Sequence, residues 1–156
     1  MKLLFFSDVH GSPESLELLE RHIDSRSPDL LVLLGDALYH GPRNPLRPDY
    51  APPQVVEQLN RRKELLVDGH RFFLTHGHLW NPGQLPPIPA GTVFTYGHTH
   101  LPQLERLENG RIAFNPGSIS LPKGGNPASF GFYEDGVLTV CRLQDAGEML
   151  RLSLEP

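Results

Sequence analysis

The chain alternates short apolar runs with turn-forming residues, and the character of the runs changes part-way along. Lys2 to Ser7 (KLLFFS) is brief and apolar, which predicts a buried strand. Ser12-Pro13 makes a helix start, with serine as N-cap and proline at the first helical position. Leu16, Leu19 and Ile23 then fall on one face at helical spacing, and the helix must end before Pro28. Leu30 to Leu34 predicts a second buried strand, closed by Gly35-Asp36. Strand, helix and strand within so short a stretch form a βαβ unit, hence a parallel pair.

Residues 41–53 are proline-rich and predict a stiff loop, followed by a short helix at 54–62 with Val55, Val56 and Leu59 facing inward. Beyond it, apolar runs are separated by Asp68-Gly69, Asn109-Gly110 and Asp135-Gly136, each a hairpin turn signal. Strands are predicted at 64–67, 71–75, 93–96, 103–107, 111–114, 129–133, 137–143 and 149–154. A parallel start with an antiparallel remainder predicts an α/β sandwich of two mixed β-sheets. No internal repeat or linker divides it, so residues 1–156 read as a single domain.

Composition then narrows the function classes. The chain is 38% hydrophobic and 21% charged, ordinary for a globular protein. A net charge of −4 and a pI near 6.0 argue against a broad nucleic-acid-binding surface. The longest apolar run, residues 30–34, is strand-sized and predicts no membrane span. No signal-peptide pattern opens the chain, and its only cysteine, Cys141, excludes an intrachain disulfide. Cys141 reads as a small core residue of a strand, and cytoplasm is the expected compartment.

The chemistry lies in four short pieces that each follow an apolar run: Asp8-Val9-His10, Gly35-Asp36, His76-Gly77-His78 and His98-Thr99-His100. Strand ends with adjacent glycine are where a parallel sheet places its ligand site. Alternate residues of an extended stretch point the same way, so Asp8 and His10 are expected to close on one ion together. A lone Asp-x-His or His-x-His is weak evidence. Here His10, His76, His78, His98 and His100 all occupy such motifs, and only His22, His40 and His70 lie elsewhere. His22 is expected on an exposed helix face and His70 in a turn, while His40, on the loop after Asp36, is as apt to face the site as not. Carboxylate and imidazole with no thiolate suit manganese, zinc or iron. Lys123-Gly124-Gly125 offers a charge and free backbone N–H groups for a phosphate, against the equal reading of a glycine-rich surface loop or subunit contact. It lacks Walker spacing, and Ser118 has no nucleophile elbow around it.

The order Asp-x-His, Gly-Asp, Thr-His-Gly-His, Gly-His-Thr-His and Asn-Pro-Gly-Ser is carried by FFSDVHGS, LVLLGDALYHGPRN, FFLTHGHL, YGHTHLP and FNPGSISLPKGGNPAS. It resembles the calcineurin-like metallophosphoesterases, and within them the small bacterial YfcE-type phosphodiesterases. The resemblance spans nearly the whole chain. It implies a four-layer αββα sandwich with a two-metal site at the sheet edges, and a phosphodiesterase that uses metal-bridging hydroxide for in-line attack on phosphorus. By position, Asp8, His10, Asp36 and His100 would hold one metal, and a bridging Asp36, His76 and His98 the other. Manganese is the expected metal, with zinc, iron or nickel as alternatives. His78 would face the substrate or stand behind the ligands, and His78 or His40 would help the leaving group depart. Lys123 would meet a small phosphodiester substrate. A homo-oligomer is left open.

One departure from the family pattern is large. A Gly-Asn-[His or Cys]-Asp motif, whose asparagine ligates the second metal, is absent between Gly35-Asp36 and Thr75-His76-Gly77-His78. Roughly one strand-plus-helix unit, ~30 residues, is missing where Arg62 meets Lys63. Omission of the unit from the sequence is favoured over true loss, because loss would bare the apolar edge of residues 30–34. The rival function is a non-catalytic metal-binding or scaffold protein of the same fold, as in the phosphoesterase-like subunit of the retromer coat.

Overall fold

Alternation within the first strand sets the architecture. In β1 (Lys2–Phe6), Leu3 and Phe5 turn to one side, Leu4 and Phe6 to the other, and all four are buried. A strand buried on both faces needs cover on both. The computed structural model, which describes residues 1–40, 44–60 and 70–154, supplies it as a helix pair on one face and a second sheet on the other. The first sheet also contains β2 (Leu30–Leu33), and the helices are α1 (Pro13–Arg26) and α2 (Pro52–Asn60). The second sheet draws on β3 (Phe72–Leu74), β4 (Val93–Thr95), β5 (Gln103–Arg106) and β6 (Ile112–Asn115). The chain then returns to the first with β7 (Ser129–Glu134), β8 (Val137–Arg142) and β9 (Glu148–Ser153).

The orders are β2-β1-β7-β8-β9 and β3-β4-β6-β5, and both sheets are mixed. Parallel pairing joins β1 to β2 with Leu3 opposite Leu30, the expected βαβ unit. The expected antiparallel remainder holds only in part, because β3 pairs β4 and β4 pairs β6 in parallel. Long connections separate those strands, whereas Asn109-Gly110 and Asp135-Gly136 close tight antiparallel hairpins. The expected strand at 64–67, the Asp68-Gly69 turn and the junction of Arg62 with Lys63 lie outside the described residues.

Between the sheets, Leu3, Phe5, Val32 and Leu34 meet Val93, Ile112 and Phe114. Behind the first sheet, Leu16, Leu19 and Ile23 of α1 pack with Val55 of α2 on Leu4, Phe6, Phe130 and Phe132. Val56, expected inward, is exposed, while Val55 beside it is fully buried. His22, expected to be exposed, is half-buried, stacks on Phe130 with ring centres 5.0 Å apart and bonds the Leu143 carbonyl. The outer face of the second sheet is covered by Trp80, Leu85 and Ile88. Among the described residues this fourth layer is irregular chain rather than helix, as Pro82, Pro86, Pro87 and Pro89 dictate. No described helix is long and apolar enough to cross a membrane.

Candidate metal centre

Ladder bonds continue past the ends of β1 and β2 and lay their loops side by side. Asp8 N–H donates to Gly35 O (3.1 Å), His10 N–H to Asp36 O (2.9 Å) and Gly11 N–H to Ala37 O (2.9 Å). In the second sheet Gly97 N–H donates to His76 O (2.9 Å), so the loops after β3 and β4 are likewise joined. The four motifs therefore meet where the ends of the two sheets converge.

Strand alternation does not aim these side chains. Asp8 and His10 have φ of 57° and 49°, Asp36 49°, His98 65° and His100 62°, all in the left-handed region. Of eight described non-glycine residues with positive φ, five are these. Such strain persists only where the surroundings over-determine it, and its concentration here marks a functional centre. Gly35, at φ 126°, lets His76 lie against it, for a Cβ there would collide with the imidazole.

Backbone carbonyls fix the histidine tautomers. A carbonyl only accepts, so Nδ1 of His10 must donate to Tyr39 O (2.6 Å), Nδ1 of His100 to Leu121 O (2.6 Å) and Nδ1 of His76 to Leu34 O (3.0 Å). Each ring thereby turns its Nε2 toward the centre. His10 Nε2 and His100 Nε2 face each other at 3.3 Å. Asp8 Oδ1 lies 3.0 Å from His100 Nε2 and 3.7 Å from His10 Nε2. Both Asp8 oxygens are buried and accept no hydrogen bond among the described residues. Lone pairs and an unpaired carboxylate turned on one point fit a divalent cation, which satisfies them all at once.

Among the described residues two triads have the required closeness, their donor atoms lying within 4.8 Å of one another: Asp8, His10 and His100, and Asp8, Asp36 and His76. Asp8 is common to both, the place sequence reading gave to Asp36. His76 Nε2 lies 3.5 Å from Asp36 Oδ2 and 3.3 Å from His98 Nδ1. Burial pushes the Asp8 carboxyl up, but His100, Ser7 and His76 outweigh it and hold it below the usual carboxylate range. Burial and the nearby His76 hold the His98 imidazole below its usual value.

Sequence reading missed the scaffold behind these residues. Ser118 and Ser120 hydroxyls both donate to Asp8 O (3.0 and 2.6 Å). Asn115 Nδ2 donates to Gly97 O (2.9 Å) and to Thr99 Oγ1 (3.0 Å), clamping the loop that carries His98 and His100. The Asn-Pro-Gly-Ser run was its visible signal.

Residues 1–135 match the model of the calcineurin-like phosphoesterase superfamily domain. The chain belongs to that superfamily. Phosphodiesterase YfcE of Escherichia coli K12 is 41% identical over 186 aligned positions that take in all of both chains. The solved structure of YfcE, a phosphoesterase from E. coli, superposes with a TM-score of 0.92 at 39% identity, covering 99% of this chain and 100% of that one. A probable metallophosphoesterase of Bacillus subtilis strain 168, YsnB, is 27% identical over 94% of this chain and 93% of its own length. The 186 positions against 156 residues leave 30 positions of the YfcE alignment opposite no residue of this calcineurin-like phosphoesterase.

In this phosphoesterase the remaining candidates stand apart from the triads. His78 is exposed, with its ring centre 5.9 Å from that of His76 and 6.4 Å from that of His98. His40 packs its ring against Tyr39 (5.5 Å) and Tyr50 (5.3 Å), and no described contact ties it to the triads. Lys123 is exposed and reaches the centre through its backbone, its N–H donating to His100 O (3.3 Å).

Proposed function

We propose that this calcineurin-like phosphoesterase is a metal-dependent phosphodiesterase acting on a small substrate, with two divalent transition-metal ions, manganese foremost, as cofactors. The observation that carries the reading is the buried Asp8 carboxylate, without a hydrogen bond and faced by imidazole lone pairs that backbone carbonyls lock in place. The E. coli relative, 41% identical and named a phosphodiesterase, supports the choice of ester class. Cytoplasm suits a chain whose single cysteine is buried and free.

Asp8, His10 and His100 would hold one cation, and Asp8, Asp36 and His76 the other, with His98 Nδ1 lying 3.3 Å from His76 Nε2 beside it. When bound, divalent cations neutralise charge on a phosphoryl group and lower the pKa of water. The chain's residues do the rest. Asp8 and Asp36 offset the positive charge, and the Leu34, Tyr39 and Leu121 carbonyls keep each ring turned inward. His78, exposed beside His76 and His98, delivers a proton to the departing oxygen. Lys123 draws the anionic ester toward the centre. His40, packed on Tyr39 and Tyr50 with its Nδ1 unpartnered among the described residues, is the alternative donor.

The test is hydrolysis of bis-p-nitrophenyl phosphate with manganese. Asp36→Asn and His98→Ala should each lose at least about a hundredfold, the scale of removing a charge-stabilising element. His22→Ala, whose ring packs far from the triads, should keep the wild-type rate while losing stability. No metal-dependent turnover by the wild type, or normal turnover by Asp36→Asn, would put the scaffold reading in its place.

A further inference from the structure

A groove of about 710 Å³ opens beside the metal centre, within the size range of small-molecule sites. His98 belongs to both, and His78 stands where they join. Among the described residues that line the groove, none is Lys, Arg, Asp or Glu. Its polar groups are mostly spoken for. Tyr96 O–H donates to Gln103 Oε1, and Gln103 Nε2 donates to Glu105 Oε1. Thr99 Oγ1 accepts from Leu101 N–H and Asn115 Nδ2, and Asn81 Oδ1 accepts from Gly83 N–H. What the groove offers a ligand is apolar surface: the Tyr96 ring, stacked on Phe94 at 5.3 Å, with Pro82, Pro102 and Leu101. Leu101 is 42% exposed and leans on the turn at Gly124, where a Cβ would come within 2.8 Å of its Cδ2. Among the described residues only His78 lines the groove with a titratable ring that makes no hydrogen bond.

We infer that this groove holds the leaving alcohol of the ester, and that the alcohol it takes is an uncharged aryl or alkyl one. A phosphoryl group at the triads places its departing oxygen toward His98 and His78, and the groove runs on from there. A second phosphate or a carboxylate on the alcohol would meet no cation in it and would lose its water for nothing. An aromatic ring would gain apolar contact along Tyr96 and Leu101. The inference deepens the phosphodiesterase reading, and its kinetic half rests on that reading.

The binding half is tested on the full-length, metal-free protein by titrating 4-nitrophenol and following ¹⁵N-amide shifts. Saturable shifts centred on Gly77, Leu101 and Gln103 are expected, weakened about tenfold in Leu101→Asp and in Leu101→Lys alike. Shifts elsewhere, or tighter binding in either variant, would overturn the proposal. In the kinetic half, both variants should raise KM for bis-p-nitrophenyl phosphate about tenfold with kcat nearly unchanged. Circular dichroism melts check that they fold, as substitution of a partly exposed leucine allows. If the wild type binds 4-nitrophenol in the groove but hydrolyses no ester, the groove stands and the phosphodiesterase reading falls. If it hydrolyses the diester while both variants keep the wild-type KM, the reading stands and the groove falls.

Discussion

Asp8 carries a local cost. Its carboxylate is fully buried with no lysine or arginine against it among the described residues, and only His100, Ser7 and His76 offset the burial and hold it ionised. An unpaired buried charge of this kind costs several kcal/mol unless something positive meets it. Two outcomes are expected. Saturating manganese should raise the melting temperature of the wild type by mass action, the gain growing with metal concentration. Asp8→Asn should melt at or above the wild type in chelator and gain nothing from manganese. Scanning calorimetry with and without metal checks both, and an equal metal response in the two proteins would contradict the assignment.

At the scale of elements, the cap of α1 is tied to the loop after β2 by a hydrogen bond to a carboxylate that an ion pair within the loop holds in place. Ser12 caps α1 by accepting from Ser15 N–H (3.2 Å), and its hydroxyl donates to Asp49 Oδ2 (2.5 Å). Arg47 Nε donates to Asp49 Oδ1 (2.9 Å), and its guanidinium also bonds the Ser120 carbonyl. Burial pushes Asp49 up, but the Ser12 hydroxyl and Arg47 guanidinium prevail and hold it below its ordinary 3.8. A carboxylate depressed in the folded state stabilises fully above 3.8 and stops doing so as pH falls through its lower folded value. The wild type should therefore lose stability on acidification below that point. Asp49→Asn should be less stable at neutral pH and show a shallower loss on acidification, as urea melts at pH 7 and pH 3 would measure.

Most element positions were legible in the sequence. The expected helix after Ser12-Pro13 is α1, and the expected strands at 93–96, 103–107 and 137–143 are β4, β5 and β8 to within a residue or two. Periodicity reports that a strand exists, not which strand it pairs with, so the parallel run β3-β4-β6 was not foreseen. The motif residues could be named because carboxylate and imidazole chemistry is visible in residue types. Their left-handed backbone was not, since nothing in Asp-x-His distinguishes an extended stretch from a strained turn. His22 shows the same limit: its helical position was clear, its ring's seat on Phe130 was not.

For the whole molecule, the 30 alignment positions without a counterpart matter more than any single substitution. Among the described residues β2 is the outermost strand of its sheet and β3 the outermost of the other. The Asp8, His10 and His100 triad is buried throughout, whereas Asp36 and His76 are only partly so. The asparagine ligand that the family resemblance implies is matched by no residue between Asp36 and His76 of this sequence. A protein of this sequence, titrated calorimetrically with manganese, should therefore resolve one tight site and one at least about tenfold weaker, as absence of a supporting ligand implies. Two sites of equal affinity would mean that another residue has taken the asparagine's place.

The left-handed residues of the candidate centre put stability and the proposed activity at odds. Each such residue holds about 1–3 kcal/mol of conformational strain that glycine would not feel. His98, exposed and at φ 65°, contributes little packing in return. His98→Gly should consequently melt about 2–4 °C higher than the wild type in chelator, the shift expected for a gain near 1 kcal/mol at this chain length. Its turnover should collapse with the loss of the imidazole. The same exchange at His10 or His100 should instead destabilise, because those rings are buried and bonded to backbone carbonyls, and glycine would leave a cavity in their place.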